Sequence, residues 1–286
     1  MVGDEGAPAR SDAVCRNHPE ARQSKIMNPI RFAAFLPALL LVATFAPLPA
    51  APEAEAAAGR ALVKRYADAI VGVELVVTVK FKMGDREMPP REQRIEVNGT
   101  VIATNGLTVT SLAQVDPQVQ FDSIRAGQAG GRGPELVGTD FKEVKLRLAD
   151  GSEVPAKFVL KDADLDLAFM VPDEGGEGAK RTFPFVKLAD AVEGAVLGSY
   201  FYVARAPKVL QRVPLIRSTD ISGIVEKPRR FYLLTDQSLG SPVFDAQGHV
   251  LGITVQHLAS GRQIAIVLPA GDVAEMAKQA AAGPGK

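Results

Sequence analysis

Few side chains in this sequence could carry nucleophilic chemistry, and the suitable ones are near its C-terminal end. Ser238 and Ser241 flank a glycine in the segment LLTDQSLGSPVFDAQGHVLGI, and the histidines His249 and His257 lie in or just after it. A serine hydroxyl is a weak nucleophile unless a neighbouring base removes its proton. No histidine lies between His18 and His249, so the sequence offers very few imidazoles to act as that base.

Metal and cofactor chemistry has weak support in the sequence. Asp162, Asp164 and Asp166 alternate as D-x-D-x-D, but the glycine and terminal glutamate of a calcium loop are absent. Cys15 is the only cysteine, which excludes a disulfide framework and a cysteine-based metal site. The glycine-rich stretch GQAGGRGPELVG contains neither common phosphate-binding motif. We therefore predict no metal and no cofactor.

Length and composition bound the fold and exclude one class of partner. The chain has 286 residues, of which 47% are hydrophobic, enough for one large all-β domain or two small ones. Lysine plus arginine and aspartate plus glutamate each number 33, so the net charge is zero. Nucleic-acid binding requires a basic face, and this balance predicts no such partner.

The first part of the chain, 1–56, is typical of an export signal. Arg31 supplies a positive flank, and an almost unbroken apolar run follows from Phe32 to Phe45. Small residues at the offsets of a cleavage site end the segment, at Ala50 or Ala56. We predict a signal peptide from about residue 27 and a periplasmic or secreted protein of bacterial type. Residues 1–26 then precede the true initiator, and membrane anchoring requires that the signal stays uncleaved.

The remaining sequence predicts mainly β-structure. Leu62, Tyr66 and Ile70 are spaced four apart, which predicts a short helix over Arg60–Ile70. Alternating β-branched segments follow, with a hairpin turn at Asn105-Gly106. Residues 116–139 are predicted to form a loop, 173–179 a linker, and the alanine-rich segment AGDVAEMAKQAAAG a closing helix. About a dozen strands with helices only at the ends indicate an all-β barrel or sandwich.

Four segments in this order resemble the trypsin-like (chymotrypsin-fold) serine proteases, and among them the HtrA/Deg-like type. They are GTVIATNGLTVTSLAQV, VKLRLADGSEVPAKFVLKDADLDLAFMVP, LLTDQSLGSPVFDAQGHVLGITVQ and IAIVLPAGDVAEMAKQ. The resemblance implies two six-stranded antiparallel β-barrels with short N- and C-terminal helices and a cleft between the barrels. It places the domain at 57–282, with the barrels at about 70–172 and 185–270 and no PDZ module after them.

The same resemblance assigns each position of a Ser-His-Asp triad. The aspartate position is retained at Asp166, whereas the histidine position holds Ala113 and the serine position holds Leu239. Ser241 replaces a glycine of the nucleophile motif. The loop from Asp236 to Leu239 is also shorter than in HtrA-like proteases, and in those proteins it helps to form the oxyanion hole.

We expect a catalytically inactive pseudoprotease that acts as a scaffolding module or as a module that binds a protein or an extended peptide. In active relatives the strand after the nucleophile pairs with the substrate, and this strand corresponds here to Thr254, Val255, Gln256 and His257. The alternative is an active serine endopeptidase with a rearranged site, in which Ser238 or Ser241 attacks and His257 is the base.

Overall fold

The structure is a computed structural model of the chain and describes residues 51–126, 134–173, 175, 181–192, 194–259 and 262–282. The predicted signal peptide, with its extension 1–26, lies outside the described residues except for its last few positions, 51–56. The glycine-rich residues 127–133 and most of the predicted linker 173–179 lie outside them as well. Within the part that is described, no helix is both long and apolar enough to cross a membrane.

The first helix, α1, is longer and ends earlier than predicted. It runs from Ala51 to Tyr66, a single 3-10 turn follows, and Ile70 already begins the first strand. The change to strand occurs where the sequence becomes β-branched, which favours extended backbone. Tyr66 is buried, its ring stacks on Phe244 with centroids 4.4 Å apart, and its hydroxyl donates to the Gly248 carbonyl at 3.0 Å.

The N-terminal barrel consists of strands from the first half of the domain. Its sheet order is β1-β3-β4-β7-β6-β5 with β5 pairing back onto β1, and all pairings are antiparallel. The short β2 pairs with the C-terminal end of β1, and the predicted Asn105-Gly106 turn joins β3 to β4. The strands are β1 Ile70–Met83, β2 Arg86–Glu87, β3 Arg91–Val101, β4 Thr108–Ser111, β5 Glu135–Arg147, β6 Glu153–Asp162 and β7 Leu167–Pro172.

The prediction of a loop over 116–139 was wrong at both ends. Helices α2 (Leu112–Val115) and α3 (Pro117–Ala126) precede the glycine-rich residues, and β5 begins after them at Glu135. The start of α3 follows from its sequence, because Asp116 accepts a hydrogen bond from the Gln118 N–H at 3.0 Å and a proline occupies the first helical position. The prediction of a loop rested on the glycines of the segment and did not consider this capping signal.

The C-terminal barrel is a second closed antiparallel sheet. Its order is β10-β13-β12-β11-β8-β9, and β9 pairs with β10 to close it. The closing helix α4, Ala270–Ala282, follows the last strand directly, as predicted. The strands are β8 Gly198–Arg205, β9 Pro214–Val225, β10 Phe231–Leu234, β11 Pro242–Phe244, β12 Val250–Ala259 and β13 Arg262–Pro269. The predicted fold class, two six-stranded antiparallel β-barrels with short terminal helices, is confirmed.

Strand alternation divides the apolar residues among three clusters. Ala168 and Met170 on β7 pack inside the N-terminal barrel, whereas Phe169 between them points the other way. Phe169 joins a third cluster with Phe201 of β8 and residues of both terminal helices, and this cluster separates the barrels. Since successive side chains of a strand face opposite sides, each barrel supplies both its own core and one wall of the shared layer.

A charged link also joins the barrels. The tip of the β8–β9 hairpin carries Arg212, whose guanidinium contacts Glu74 Oε1 and Glu96 Oε1, each at 2.7 Å. Glu74 accepts a second, bidentate pair of hydrogen bonds from Arg147, at 2.6 and 3.1 Å. The hydrogen bond from Arg147 is the main reason that the pKa of Glu74 lies below its usual value. The link is partly buried, so it is screened less than an exposed ion pair.

Replacing Arg212 by alanine is expected to lower the free energy of unfolding by about 1 kcal/mol, the upper end for incompletely buried pairs. Arg230→Ala is the matched control, because its pair with Glu226 is exposed on both sides and should contribute little. The carboxylate of Glu74 stabilises the fold above its unfolded pKa of 4.5, and this contribution is lost as the pH falls through the lowered folded pKa. The difference between Arg212→Ala and wild type should therefore shrink on acidification in urea-unfolding experiments. Equal effects of the two substitutions at neutral pH would contradict the link.

Candidate functional site

Asp166 lies at the junction of the two barrels. It is the last residue of the turn between β6 and β7, has a left-handed backbone with φ of 55°, and is only 5% exposed. Its carboxylate accepts a hydrogen bond from the Ser111 hydroxyl and one from the Ala113 N–H at 2.6 Å. A third comes from the Gln256 N–H of the C-terminal barrel, also at 2.6 Å. One carboxylate therefore holds groups from both barrels.

The surroundings of Asp166 act on its pKa in two directions. Burial removes water from the carboxylate and raises the pKa, and this is the largest effect. The hydrogen bonds from Ser111, Gln256 and Ala113 favour the charged form and lower the pKa, but they only partly offset burial, so the net direction is upward. The three donors leave this carboxylate engaged by the protein itself.

The position assigned to the catalytic histidine holds a methyl group. Ala113 lies in α2, is 6% exposed, and donates its backbone N–H to Asp166. His249 is on the turn before β12, and its Nδ1 lies 2.8 Å from Asp245 Oδ2. His257 packs its ring beside Phe231, with centroids 5.2 Å apart. His18 lies outside the described residues, and within them no imidazole hydrogen-bonds to Asp166.

The nucleophile segment is closed onto the N-terminal barrel. Leu239, which the resemblance assigns to the serine position, is half-buried. The next residue, Gly240, donates its N–H to the Thr254 carbonyl at 2.7 Å. The Gly240 carbonyl accepts a hydrogen bond from the Thr100 hydroxyl of β3 at 2.8 Å. Gly240 has a φ of +75°, and a Cβ atom on it would lie 2.2 Å from the Asn98 carbonyl oxygen. Only glycine fits both the conformation and the space.

Neither of the two candidate serines is paired with a base. Ser238 Oγ accepts a hydrogen bond from the Asn98 side chain at 3.2 Å. Ser241 is fully buried, and its hydroxyl has no hydrogen-bond partner among the described residues. Across those residues, no hydrogen bond joins either hydroxyl to an imidazole.

One of the backbone donors needed for an oxyanion hole is already in use. In triad proteases the hole is formed by the N–H groups of the nucleophile and of the residue two positions before it. Here these are Leu239 and Gln237, and the Gln237 N–H donates to Asp236 Oδ1 at 2.9 Å. Asp236 is held in turn by Tyr202, whose hydroxyl lies 3.1 Å from Oδ2, and by Arg217 at 3.0 Å. The Gln237 N–H, one of the two donors of such a hole, is therefore already engaged by a side chain of the short loop.

The predicted peptide-binding residues on β12 are only partly accessible through their backbones. The Thr254 N–H and carbonyl are bonded to Ser241 and Gly240, and the Gln256 N–H is bonded to Asp166. Residues 254 and 256 thus direct their backbone groups away from β13, so by alternation Val255 and His257 direct theirs toward it. The Thr254 carbonyl is bonded to Gly240, so among these four residues Gln256 alone has a carbonyl that faces away from β13 without a bond to a described residue. The peptide-binding role remains a prediction, and its free edge begins at this carbonyl.

The sequence analysis missed Ser111, Thr100 and Asn98, which hydrogen-bond to Asp166, Gly240 and Ser238, respectively. Ser111 and Thr100 are fully buried hydroxyls on strands, and a buried polar side chain normally has a hydrogen-bond partner. Ser111 lies two positions before Ala113, a spacing that could have suggested contact with the same carboxylate. Asn98, which bonds Ser238 and the Arg205 N–H across the barrels, has no comparable signal in the sequence. In the described part of the chain, no group of three or more His, Cys, Asp or Glu residues could hold a metal ion.

Comparisons with known proteins agree with this architecture. The crystal structure of Deg5 has a TM-score of 0.52 and 16% identity, over 77% of this chain and 92% of that one, which is a similarity of fold. The apo MamO protease domain from Magnetospirillum magneticum has a TM-score of 0.46 and 18% identity, over 74% of this chain and 97% of that one. No curated protein sequence matches the chain. Residues 97–253, more than half of the sequence, match the model of the trypsin-like peptidase domain, and the chain belongs to that family.

Proposed function

We propose that this protein is a non-catalytic member of the trypsin-like peptidase family that binds an extended peptide. One observation carries the proposal: the carboxylate in the triad position contacts the backbone of an alanine instead of an imidazole, and three protein donors occupy it. Peptide hydrolysis by a serine requires proton transfer to a base. Asp166 has no base to orient, and the serine position holds Leu239.

The size of the expected defect supports inactivity over slow catalysis. In a triad protease, loss of the serine or of the histidine alone lowers turnover about a million-fold, and loss of both costs little more. This corresponds to roughly 8 kcal/mol in the activation barrier. The oxyanion donors account for much of the remaining rate, and one of them is engaged by Asp236 here.

Asp166 keeps a structural role in this proposal. An unpaired carboxylate at 5% exposure would be costly, so the hydrogen bonds from both barrels are needed to keep it there. In return, the carboxylate fixes α2 against β12 through the N–H groups of Ala113 and Gln256. The residue that orients a base in a protease serves here to connect the two barrels.

Peptide binding is proposed at the free edge of β12. Beyond Gln256 this strand has β13 on one side and no described strand on the other. A strand edge with unpaired N–H and carbonyl groups can accept an extended peptide as an additional strand. The predicted peptide-binding residues lie on this part of β12, directly after the nucleophile segment.

We also propose that the protein is exported. The positive residue Arg31 and the apolar run after it support secretion into the periplasm or beyond, with a mature domain that begins near residue 57. We expect N-terminal sequencing of the protein from a bacterial periplasmic or culture fraction to start between residues 51 and 57. Recovery of residues 1–26 on the exported protein would contradict an initiator at Met27.

A fluorophosphonate probe, which labels activated serines, is expected to leave the protein unlabelled, and casein should not be cleaved. The alternative, an active endopeptidase, requires labelling at one serine that disappears in Ser238→Ala or Ser241→Ala.

The double substitution Ala113→His with Leu239→Ser is expected to restore little activity, because the short loop still engages the Gln237 N–H. Specific labelling of the wild type would overturn the proposal.

Asp166→Asn is expected to lower the free energy of unfolding by about 1 to 3 kcal/mol, because an amide cannot accept all three hydrogen bonds. The raised pKa of Asp166 makes the protonated carboxyl favourable below its unfolded value of 3.8, and this contribution is lost as the pH rises through the folded pKa. The advantage of the wild type over the variant should thus decrease with rising pH in urea titrations. Asp164→Asn, an exposed neighbour, is the control and should change stability by less than about 0.5 kcal/mol. A neutral Asp166→Asn would show that the carboxylate does not connect the barrels.

A further inference from the structure

A cavity of about 350 Å³ lies between the β8–β9 hairpin and the N-terminal barrel. Its walls come from β1 and β3 on one side and from the end of β8 and the hairpin turn on the other, so both barrels contribute to it. The volume lies in the range of about 300 to 1,000 Å³ that is usual for small-molecule sites. None of the predicted peptide-binding residues of β12 lines this cavity, so it is a separate site.

The lining of the cavity has an excess of positive charge. Its charged residues are three cations and one carboxylate: Arg205, Lys208, Arg212 and Glu96. The Glu96 carboxylate is already engaged, because it accepts from Arg212 at 2.7 Å. Arg212 also contacts Glu74, but Glu74 lies outside the lining and is shared with Arg147. Lys208 is exposed on the hairpin turn and forms no ion pair with a described residue, so the cavity attracts an anion.

Arg205 carries a buried charge that the protein compensates only in part. Its side chain is 8% exposed, and its guanidinium donates to the carbonyls of Ile70 at 2.5 Å, Ala67 at 2.7 Å and Arg212 at 3.1 Å. Within the described residues its one ion pair is with Asp68, which lies 4.0 Å away and is 71% exposed. Burial lowers the pKa of Arg205, and the attraction of Asp68 opposes this only in part. A buried charge without a close counter-ion is costly, so an anion in the cavity would stabilise this guanidinium.

Apolar groups form much of the remaining wall. Val97 of β3 is half-buried, Ala206 is buried, and Pro207 and Val209 follow on the hairpin turn. Val209 is 85% exposed, so a ligand that covers it removes apolar surface from water. The cavity therefore offers charge and apolar surface side by side.

The hairpin turn is held in place before any ligand binds. Gln211 and Arg212 both have left-handed backbones, with φ of 58° and 53°, a conformation that residues other than glycine rarely adopt. The contacts of the Arg212 side chain with Glu74 and Glu96 hold this turn against the N-terminal barrel. A preformed site of this kind loses little conformational freedom on binding.

We propose that this cavity binds a small organic anion. Its carboxylate or phosphate group lies between Lys208 and Arg212, in the field of Arg205, and its apolar part covers Val97 and Val209. The cations select a negative charge, and the apolar residues favour an anion with a hydrocarbon group over an inorganic ion. The inference goes beyond the proposed function, and it stands whether or not the domain binds or cleaves peptides.

Isothermal titration calorimetry of the full chain tests the ligand class with five probes. Phenyl phosphate and benzoate combine a ring with an anion, inorganic phosphate and acetate supply the charged groups alone, and benzyl alcohol supplies the ring alone. At least one ring-bearing anion is expected to bind saturably with a Kd below about 1 mM. Its ring-free counterpart should bind about tenfold more weakly, and benzyl alcohol should not bind. The tighter of phenyl phosphate and benzoate identifies the preferred charged group.

Two results of the titrations would contradict the site. One is the absence of saturable binding for both ring-bearing anions up to about 10 mM. The other is equal affinity for a ring-bearing anion and its ring-free counterpart, which would show general ionic attraction only.

Two pairs of variants test the location of the bound anion. Lys208→Glu is expected to weaken binding about tenfold, because it replaces a charge-assisted contact by repulsion. Lys227→Glu is its control, since it changes the net charge equally on an exposed turn outside the lining, and should alter affinity less than about twofold.

Val209→Ala is expected to weaken the ring-bearing anion about threefold and to leave the ring-free anion unchanged. Its control is Val196→Ala, which removes an apolar side chain of similar exposure outside the lining. Thermal unfolding reports whether each variant is folded. Unchanged binding in folded Lys208→Glu and Val209→Ala variants would place the anion elsewhere and overturn the proposal.

Discussion

The structure depends on a buried carboxylate that both barrels share. Removing Asp166 from water is costly, and hydrogen bonds from Ser111, Ala113 and Gln256 compensate for that cost. Because the donors belong to different elements, satisfying one carboxylate fixes α2, β4 and β12 relative to each other. The apolar cluster that includes Phe169 also packs between the two barrels.

The loop in the nucleophile position follows a similar logic. It is short, and its polar groups bind within the protein: Gly240 to Thr254 and Thr100, and Gln237 to Asp236. A catalytic loop must instead leave backbone donors free to stabilise developing charge. The closed loop contacts the N-terminal barrel through Thr100, and it engages the Gln237 N–H internally. Fold and chemistry are separable for this reason, and membership of a protease family does not establish proteolysis.

Part of the cleft remains open. Beyond Gln256, β12 has β13 on one side and no described strand on the other, and a small cavity lined by Phe231 and His257 lies next to this edge. A strand that is longer than its neighbour leaves such an edge. In the proposed function, this edge is where an extended peptide pairs with the domain.

The sequence by itself determined the fold class, and its resemblance to the trypsin-like proteases assigned a residue to each triad position. Period-two alternation marks the strands of both barrels, turn dipeptides such as Asn105-Gly106 mark their connections, and the order of segments places Asp166, Ala113 and Leu239. It also contained the cap at Asp116, which the neighbouring glycines obscured. These features are local, so a short stretch of sequence is enough to specify them.

Only the tertiary structure decided which groups in the cleft are already satisfied. The partners of Asp166 lie 53, 55 and 90 positions away, and the contact between Thr100 and Gly240 spans 140. No spacing in the sequence encodes such hydrogen bonds, because they form only when the two closed sheets meet and most of the polar atoms buried between them find a partner.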